Sequence, residues 1–276
     1  MHDAHLLLSD VDKRRPLPET GAVLGVDVGY SPKKKSSAAC CLAWRAGKVT
    51  WTIARFRHVE ADWASTIQAV CSRQPILAAA LDGPLNPTFT EIGRYRLAEQ
   101  MLTRRLAKHI GKPGQSSAPV GRRLNCAANV YAAAVRQFTN LGEACHSHAI
   151  SDVALVEAFP TSFLGSMIMQ PSDVVAVRND RSDRFFEYLA HSGGFDQLLA
   201  HLLPNSQISQ QWAEVKNHDD RAALVCALTA LAVASGSYVV VGDRQDGWII
   251  LPPRSLIAAW AWDQLKCNQQ DILSER

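Results

Sequence analysis

The chain has 276 residues, 47% of them apolar, enough for one large domain with a sizeable core. Twenty-nine Lys and Arg against 26 Asp and Glu give a formal charge of +3, a mild basicity that permits a polyanionic partner without requiring one. The seven cysteines are odd in number and include no C-x-x-C pair, which speaks against a disulfide framework or a zinc ribbon and for reduced thiols.

Residues 1–20 carry charges, two prolines and little periodicity, and read as a loose lead-in to a single domain over 21–276. Their three-leucine run is neither a signal peptide nor an anchor, so the cytoplasm is the default location. GAVLGVDVG (21–29) is a buried strand by its valines and apolar continuity. YSPKKKSS is a turn, SAACCLAW a second strand, Arg45 to Lys48 a turn, and VTWTIARF a third strand, which together make a meander. ADWASTIQAVCSRQ (61–74) has helical spacing at Trp63, Ile67 and Val70, and ILAAALDGP (76–84) is a further buried strand. Residues 88–109 read as a basic helix, followed by a loop and a helix from about 125 to 141. DVALVEAFP (152–160) is another buried run, and 161–216 looks helical with breaks at Pro171, Gly193-Gly194 and Pro204. The next helix spans about 219–234. Its apolar stretch AALVCALTALAVAS is too short to cross a bilayer and stops at Gly236. SYVVVGDRQDGWIILPP closes as two strands around a turn at Asp243 to Gly247. The order predicts an α/β fold: a mixed sheet flanked by helices, with helical insertions at about 86–150 and 161–217.

Three of the apolar strands carry a carboxylate near the C-terminal end: Asp27, Asp82 and Glu157, each with Gly or Pro within three residues. Ligands of open α/β sheets bind at that end of the strands. Buried carboxylates that converge repel one another, and a hard divalent cation relieves both the repulsion and the burial. The late helix begins NHDDRAALVCALTA and adds Asp219 and Asp220 in its first turn, where acids also complement the helix dipole.

The motifs GVDVG, LDGPL, VEAFPTSFLG and HDDRAALVCALTA, in this order over about residues 22–252, resemble those of the domain of unknown function 429 family, predicted ribonuclease H-like nucleases. The resemblance implies a ribonuclease H-like sheet, a three-strand antiparallel meander plus parallel strands. It also implies a two-magnesium (Mg2+ or Mn2+) site on Asp27, Asp82, Glu157, Asp219 and Asp220, with hydrolysis of phosphodiesters as the activity. Asp27 would be shared between the ions, and His218 would be a candidate proton shuttle. Related resolvase-type nucleases carry an Asp where Ala222 stands here. Asp219 lies one helical turn earlier and faces the same way.

Basic residues would meet a nucleic-acid backbone. Lys33, Lys34 and Lys35 follow the Asp27 strand directly. Between 90 and 123, Arg94, Arg96, Arg104, Arg105, Lys108, Lys112, Arg122 and Arg123 stand against only Glu91 and Glu99. Cys145, His146 and His148 form a C-H-x-H cluster without a second ligand pair at zinc spacing. Two other readings share parts of the pattern. One is a sugar-kinase or actin-like nucleotide binder, whose first strand also ends Asp-x-Gly; this chain lacks a late Gly-Gly pair and a G-x-x-x-x-G-K-[ST] loop. The other is a degenerate scaffold that binds nucleic acid or protein, to which Ala222 would point.

Overall fold

The computed structural model describes residues 8–71, 75–86, 95–111, 113–174 and 181–275. The sheet starts earlier in the chain than the sequence suggests. β1 (Leu8–Asp12) lies within the stretch read as a loose lead-in and pairs antiparallel with β8 (Ser237–Asp243). Its Ser-Asp-Val-Asp sequence suits an edge, where charge discourages pairing with other chains, and only Leu8 is buried.

The meander is β2 (Thr20–Asp27), β3 (Ser37–Arg45) and β4 (Lys48–Phe56), each antiparallel to the next. β2 and β3 are covered on both faces, so they read as continuous apolar runs, whereas β4 alternates over its first half. The tight β3–β4 hairpin turns through Ala46 and Gly47, both at positive φ (47° and 74°), the conformation that matches strand twist in such turns. After α1 (Glu60–Cys71), β5 (Ile76–Asp82) adds parallel to β2, and β6 (Leu155–Ala158) adds parallel to β5. β9 (Gly247–Leu251) continues parallel to β6 and forms the expected hairpin with β8. With the two-residue β7 (Gln207–Ile208) beside β4, the full order is β1-β8-β9-β6-β5-β2-β3-β4-β7.

The first insertion is not one long basic helix. It contains α2 (Leu97–Thr103) and the single-turn α3 (Ala107–Ile110), then α4 (Pro119–Phe138), which starts at a proline in its first turn, earlier than the sequence suggests. The second insertion contains α5 (Pro160–Ser166), α6 (Arg181–Ser192) and α7 (Gly194–Leu202). α9 (Ala259–Ser274) was not anticipated. Among the described residues, no helix is long and apolar enough to cross a membrane.

α8 (His218–Ser235) is the helix that positions the site. Asn217 caps it by accepting hydrogen bonds from the N–H groups of Asp219 (3.0 Å) and Asp220 (3.3 Å), and Gly236 ends it in the left-handed conformation. The helix lies on β2, β3 and β5 and is buried over nearly its whole length. Close approach is possible because Gly25 carries no side chain: a Cβ there would stand 2.1 Å from both the Ala223 carbonyl oxygen and the Ala227 nitrogen. α1 and α4 cover the opposite face. Two cores result, one containing α8 with Val23, Ala78 and Ala80, the other α4 with Leu24, Ala79 and Leu81.

Candidate active site

Side chains alternate across a strand, so register decides which acids meet. Asp27 and Asp82 are directly opposite one another at the ends of the parallel pair β2–β5. Both therefore point to the face covered by α8, with Cα atoms roughly 4.8 Å apart, the spacing of neighbouring strands. α8 runs away from this point, so its first turn, with Asp219 and Asp220, stands over the same strand ends. Neither the Asp27 nor the Asp82 carboxylate has a hydrogen-bond or ion-pair partner among the described residues. Each keeps an edge in contact with solvent.

Electrostatics record this crowding. Burial lifts the Asp27 carboxyl well above the usual carboxylate range, and the charges of Asp82, Asp219 and Asp220 lift it further. Burial pushes Asp82 up to about 7, with Glu157 adding to it. Neighbouring carboxyls of this kind disfavour each other's charge, so their titrations are coupled. Asp220 is also raised by burial, with Arg55, 3.5 Å away, pulling it back.

Glu157 is not brought to this pair. Its register partner is Leu81, and the residue opposite Asp82 is Ala158. Glu157 thus faces the other side of the sheet, which corrects the expected convergence of three strand-end acids. There Arg96 grips it with two hydrogen bonds, Nη1 to Oε2 at 2.9 Å and Nη2 to Oε1 at 2.6 Å. The same guanidinium donates through Nε to Glu99 (2.9 Å), and Ser116 donates to Glu99 from its backbone (3.1 Å) and its hydroxyl. Arg96 is 1% exposed, Glu99 0% and Glu157 4%. Burial raises the Glu157 carboxyl, and the Arg96 charge opposes that rise. An acid already neutralised by a bidentate arginine is a poor ligand for a metal. No residue of this network other than Glu157 was proposed from sequence in that role; Arg96 was only one of a run of cations.

The predicted cations divide. Lys33, Lys34 and Lys35 are exposed in the loop after β2, whose Ser31 hydroxyl accepts from the N–H groups of Lys33 and Lys34. Arg122 and Arg123 are exposed on α4, and the Arg123 guanidinium sits 5.1 Å from the centre of the Tyr30 ring in that same loop. Arg104 is held by Glu275 through two hydrogen bonds (2.9 and 2.5 Å), and Arg105 by Asp271 of α9. Arg94 and Lys112 lie outside the described residues. His218 is exposed, with Nδ1 3.1 Å from Asp183 Oδ2. Sequence reasoning missed the support behind Asp27: the Tyr131 hydroxyl donates to the Gly29 carbonyl (3.0 Å) and lies 2.9 Å from His58 Nδ1. Gly29 itself is needed there, since a Cβ would stand 2.0 Å from the Ser36 carbonyl oxygen.

The donor set at Asp27 and Asp82 suits a hard cation: carboxylate oxygens, no cation of the described residues paired with them, and solvent at the rim. Among the described residues there is no group of three or more His, Cys, Asp and Glu side chains close enough to enclose a metal. That holds also for Cys145, His146 and His148, where His148 Nδ1 is taken by the Tyr238 hydroxyl at 2.9 Å. An open two-carboxylate site is compatible with magnesium, which commonly keeps several waters and takes further ligands from substrate phosphates. Compared with known proteins, the chain matches no family model, no curated protein and no solved structure.

Proposed function

We propose that the chain is a metal-dependent phosphodiester hydrolase, a nuclease of ribonuclease H-like architecture. The observation that carries this reading is the in-register pair Asp27 and Asp82, unpaired by any described residue and facing the acidic first turn of α8. The strand arrangement supports it. The central five strands run β4-β3-β2-β5-β6, with an antiparallel meander on one side and two parallel additions on the other. That is the arrangement expected of such a domain.

In this account Asp27 and Asp82 would hold Mg2+ or Mn2+, and Asp219 and Asp220 would complete the negative field from α8. Asp219 takes the part that Ala222 cannot. Glu157 is left out of the ligand set because Arg96 occupies both its oxygens. The bound cation would supply Lewis acidity at a phosphoryl oxygen and a water of lowered pKa. The chain's own contribution is placement. α8 and the sheet fix the carboxylates on rigid elements, and the Tyr131–Gly29 contact steadies the loop that follows Asp27. The test is cleavage of labelled single-stranded, duplex, hybrid and junction nucleic acids with Mg2+ or Mn2+, beside Asp27→Asn. Metal-dependent cutting that is lost in the variant supports the proposal. Equal cutting by the variant, or none by either, sinks it.

One observation favours a second reading, a binding scaffold without catalysis: Asp220 is partly engaged by Arg55. Failure of wild-type protein to cut, together with retained nucleic-acid binding, would select it.

A further inference from the structure

A cavity of about 770 Å³ opens between the two helical insertions. Thr103, Arg104, Ala107 and Lys108 line it from the first insertion, and Thr161, Arg181 and Ser182 from the second. Phe159 and His218 tie it to the site. Phe159 directly follows β6, whose Ala158 is in register with Asp82, and His218 directly precedes Asp219 at the start of α8.

No acidic residue is among the described residues that line the cavity, whereas three of them, Arg104, Lys108 and Arg181, are basic. Lys108 is exposed and has no ion-pair partner among the described residues. Arg181 donates one hydrogen bond to the Ala107 carbonyl (3.0 Å), which joins the two walls, and has no carboxylate partner among the described residues. Arg104 is balanced by Glu275, but its Nε and the neighbouring Thr103 hydroxyl are buried without a hydrogen-bond partner among the described residues. Buried donors left open in this way cost stability unless a ligand or water accepts from them. The field of these cations is felt by His109, which burial and then Lys108 and Arg181 depress below the usual histidine range.

The chemistry called for is anionic, repeated and partly apolar. Cations on facing walls suit spaced phosphates, while Phe159, Pro113 and Ala107 supply surface for a sugar or a base. The volume is that of a pocket for a drug-sized molecule, about 300–1,000 Å³, so a short stretch of one strand can sink into it and a duplex cannot. We infer that this groove holds the phosphate backbone of a single-stranded nucleic acid and leads it past His218 to Asp27 and Asp82. The destination of the strand rests on the hydrolase reading; the groove's affinity for it does not.

Binding is therefore measured where cleavage cannot occur. Fluorescence anisotropy with a labelled single-stranded oligonucleotide, in EDTA, compares wild type with Lys108→Ala/Arg181→Ala, and with Lys108→Ala alone in case loss of the Arg181 contact loosens the walls. Thermal melts confirm that each variant is folded. The expected result is roughly tenfold weaker binding in the double variant, with the slope of log K against log salt smaller by roughly 1.4, about 0.7 per phosphate contact on a single strand. The single variant should lose about half of each effect. Unchanged affinity and slope in folded variants would overturn the inference. So would tighter binding of duplex than of single strand, or competition by inorganic phosphate at concentrations too low for ionic screening, which would mark a small-anion site. Protein that binds through Lys108 and Arg181 but never cuts loses the hydrolase reading alone. Protein that cuts in an Asp27-dependent way, while the double variant binds like wild type, loses the groove alone.

Discussion

On β6, Glu157 is met by Arg96 at both carboxylate oxygens, whereas one strand away Asp82 has no described partner. Both are acids at the C-terminal end of a parallel strand, and both are lifted by burial. The protein neutralises one itself and leaves the other to be neutralised by a proton or a ligand. The difference comes from one step of register: Glu157 is opposite Leu81, so it emerges on the far face, where Arg96 lies. An acid's position along a strand therefore says where it ends, and its parity says what it can do.

The comparison breaks most visibly if the protein's own cation is removed. Arg96→Met leaves Glu99 and Glu157 buried without compensation and should cost roughly 3–5 kcal/mol in chemical denaturation at pH 7. Replacing both acids by apolar residues in the same background should restore most of that loss. An Arg96→Met protein as stable as wild type would show that the network is not the neutralising device described here.

A second buried pair sharpens the contrast because its sign is opposite. Burial depresses His146 and His148 to about 4, so between about pH 4 and 6.5 both stay neutral in the fold and gain a proton on unfolding. Stability from them is complete above about 6.5, the unfolded value, and is lost as pH falls toward 4. For His148, which is 8% exposed, the loss at pH 5 is about 2 kcal/mol. His148→Leu should flatten the acid limb of stability against pH between 6.5 and 4. An unchanged slope would contradict the assignment.

The open pair acts on the other limb. Asp82 is raised from its ordinary value to about 7, so its fold-stabilising protonated form is present at low pH and is lost as pH rises from about 4 to 7. Asp82→Asn, without divalent cations, should therefore be more stable than wild type at pH 8 by about 1–2 kcal/mol, a figure reduced for solvent at the rim, and no more stable at pH 4. Destabilisation at pH 8 would mean that Asp82 has a partner cation after all. Strain of this kind at a strand end is what a ligand site stores.

Much of this arrangement was legible in the sequence. Valine-rich runs, the Arg45–Lys48 turn, the Asp243–Gly247 hairpin and the Gly236 end of α8 all carry local signals, and the structure agrees with them. Two acids on GVDVG and LDGPL stand side by side for the same reason. Glu157 was misplaced because β6 is buried on both faces: four residues without alternation give no clue to register. Its partner Arg96 lies 61 positions away, a distance at which sequence pattern carries nothing. β1 escaped notice because an edge strand of Ser, Val and Asp has little apolar character, and the groove escaped because Lys108 and Arg181 belong to separate insertions.

The most direct test of the central claim is a pair of thermal melts in Mg2+ and then Mn2+ at pH 8, wild type against Asp27→Asn. The account predicts a metal-dependent rise for wild type, worth about 2.7 kcal/mol at a hundred times the dissociation constant, and no rise for the variant. An equal rise in both proteins, or none in wild type, would contradict it.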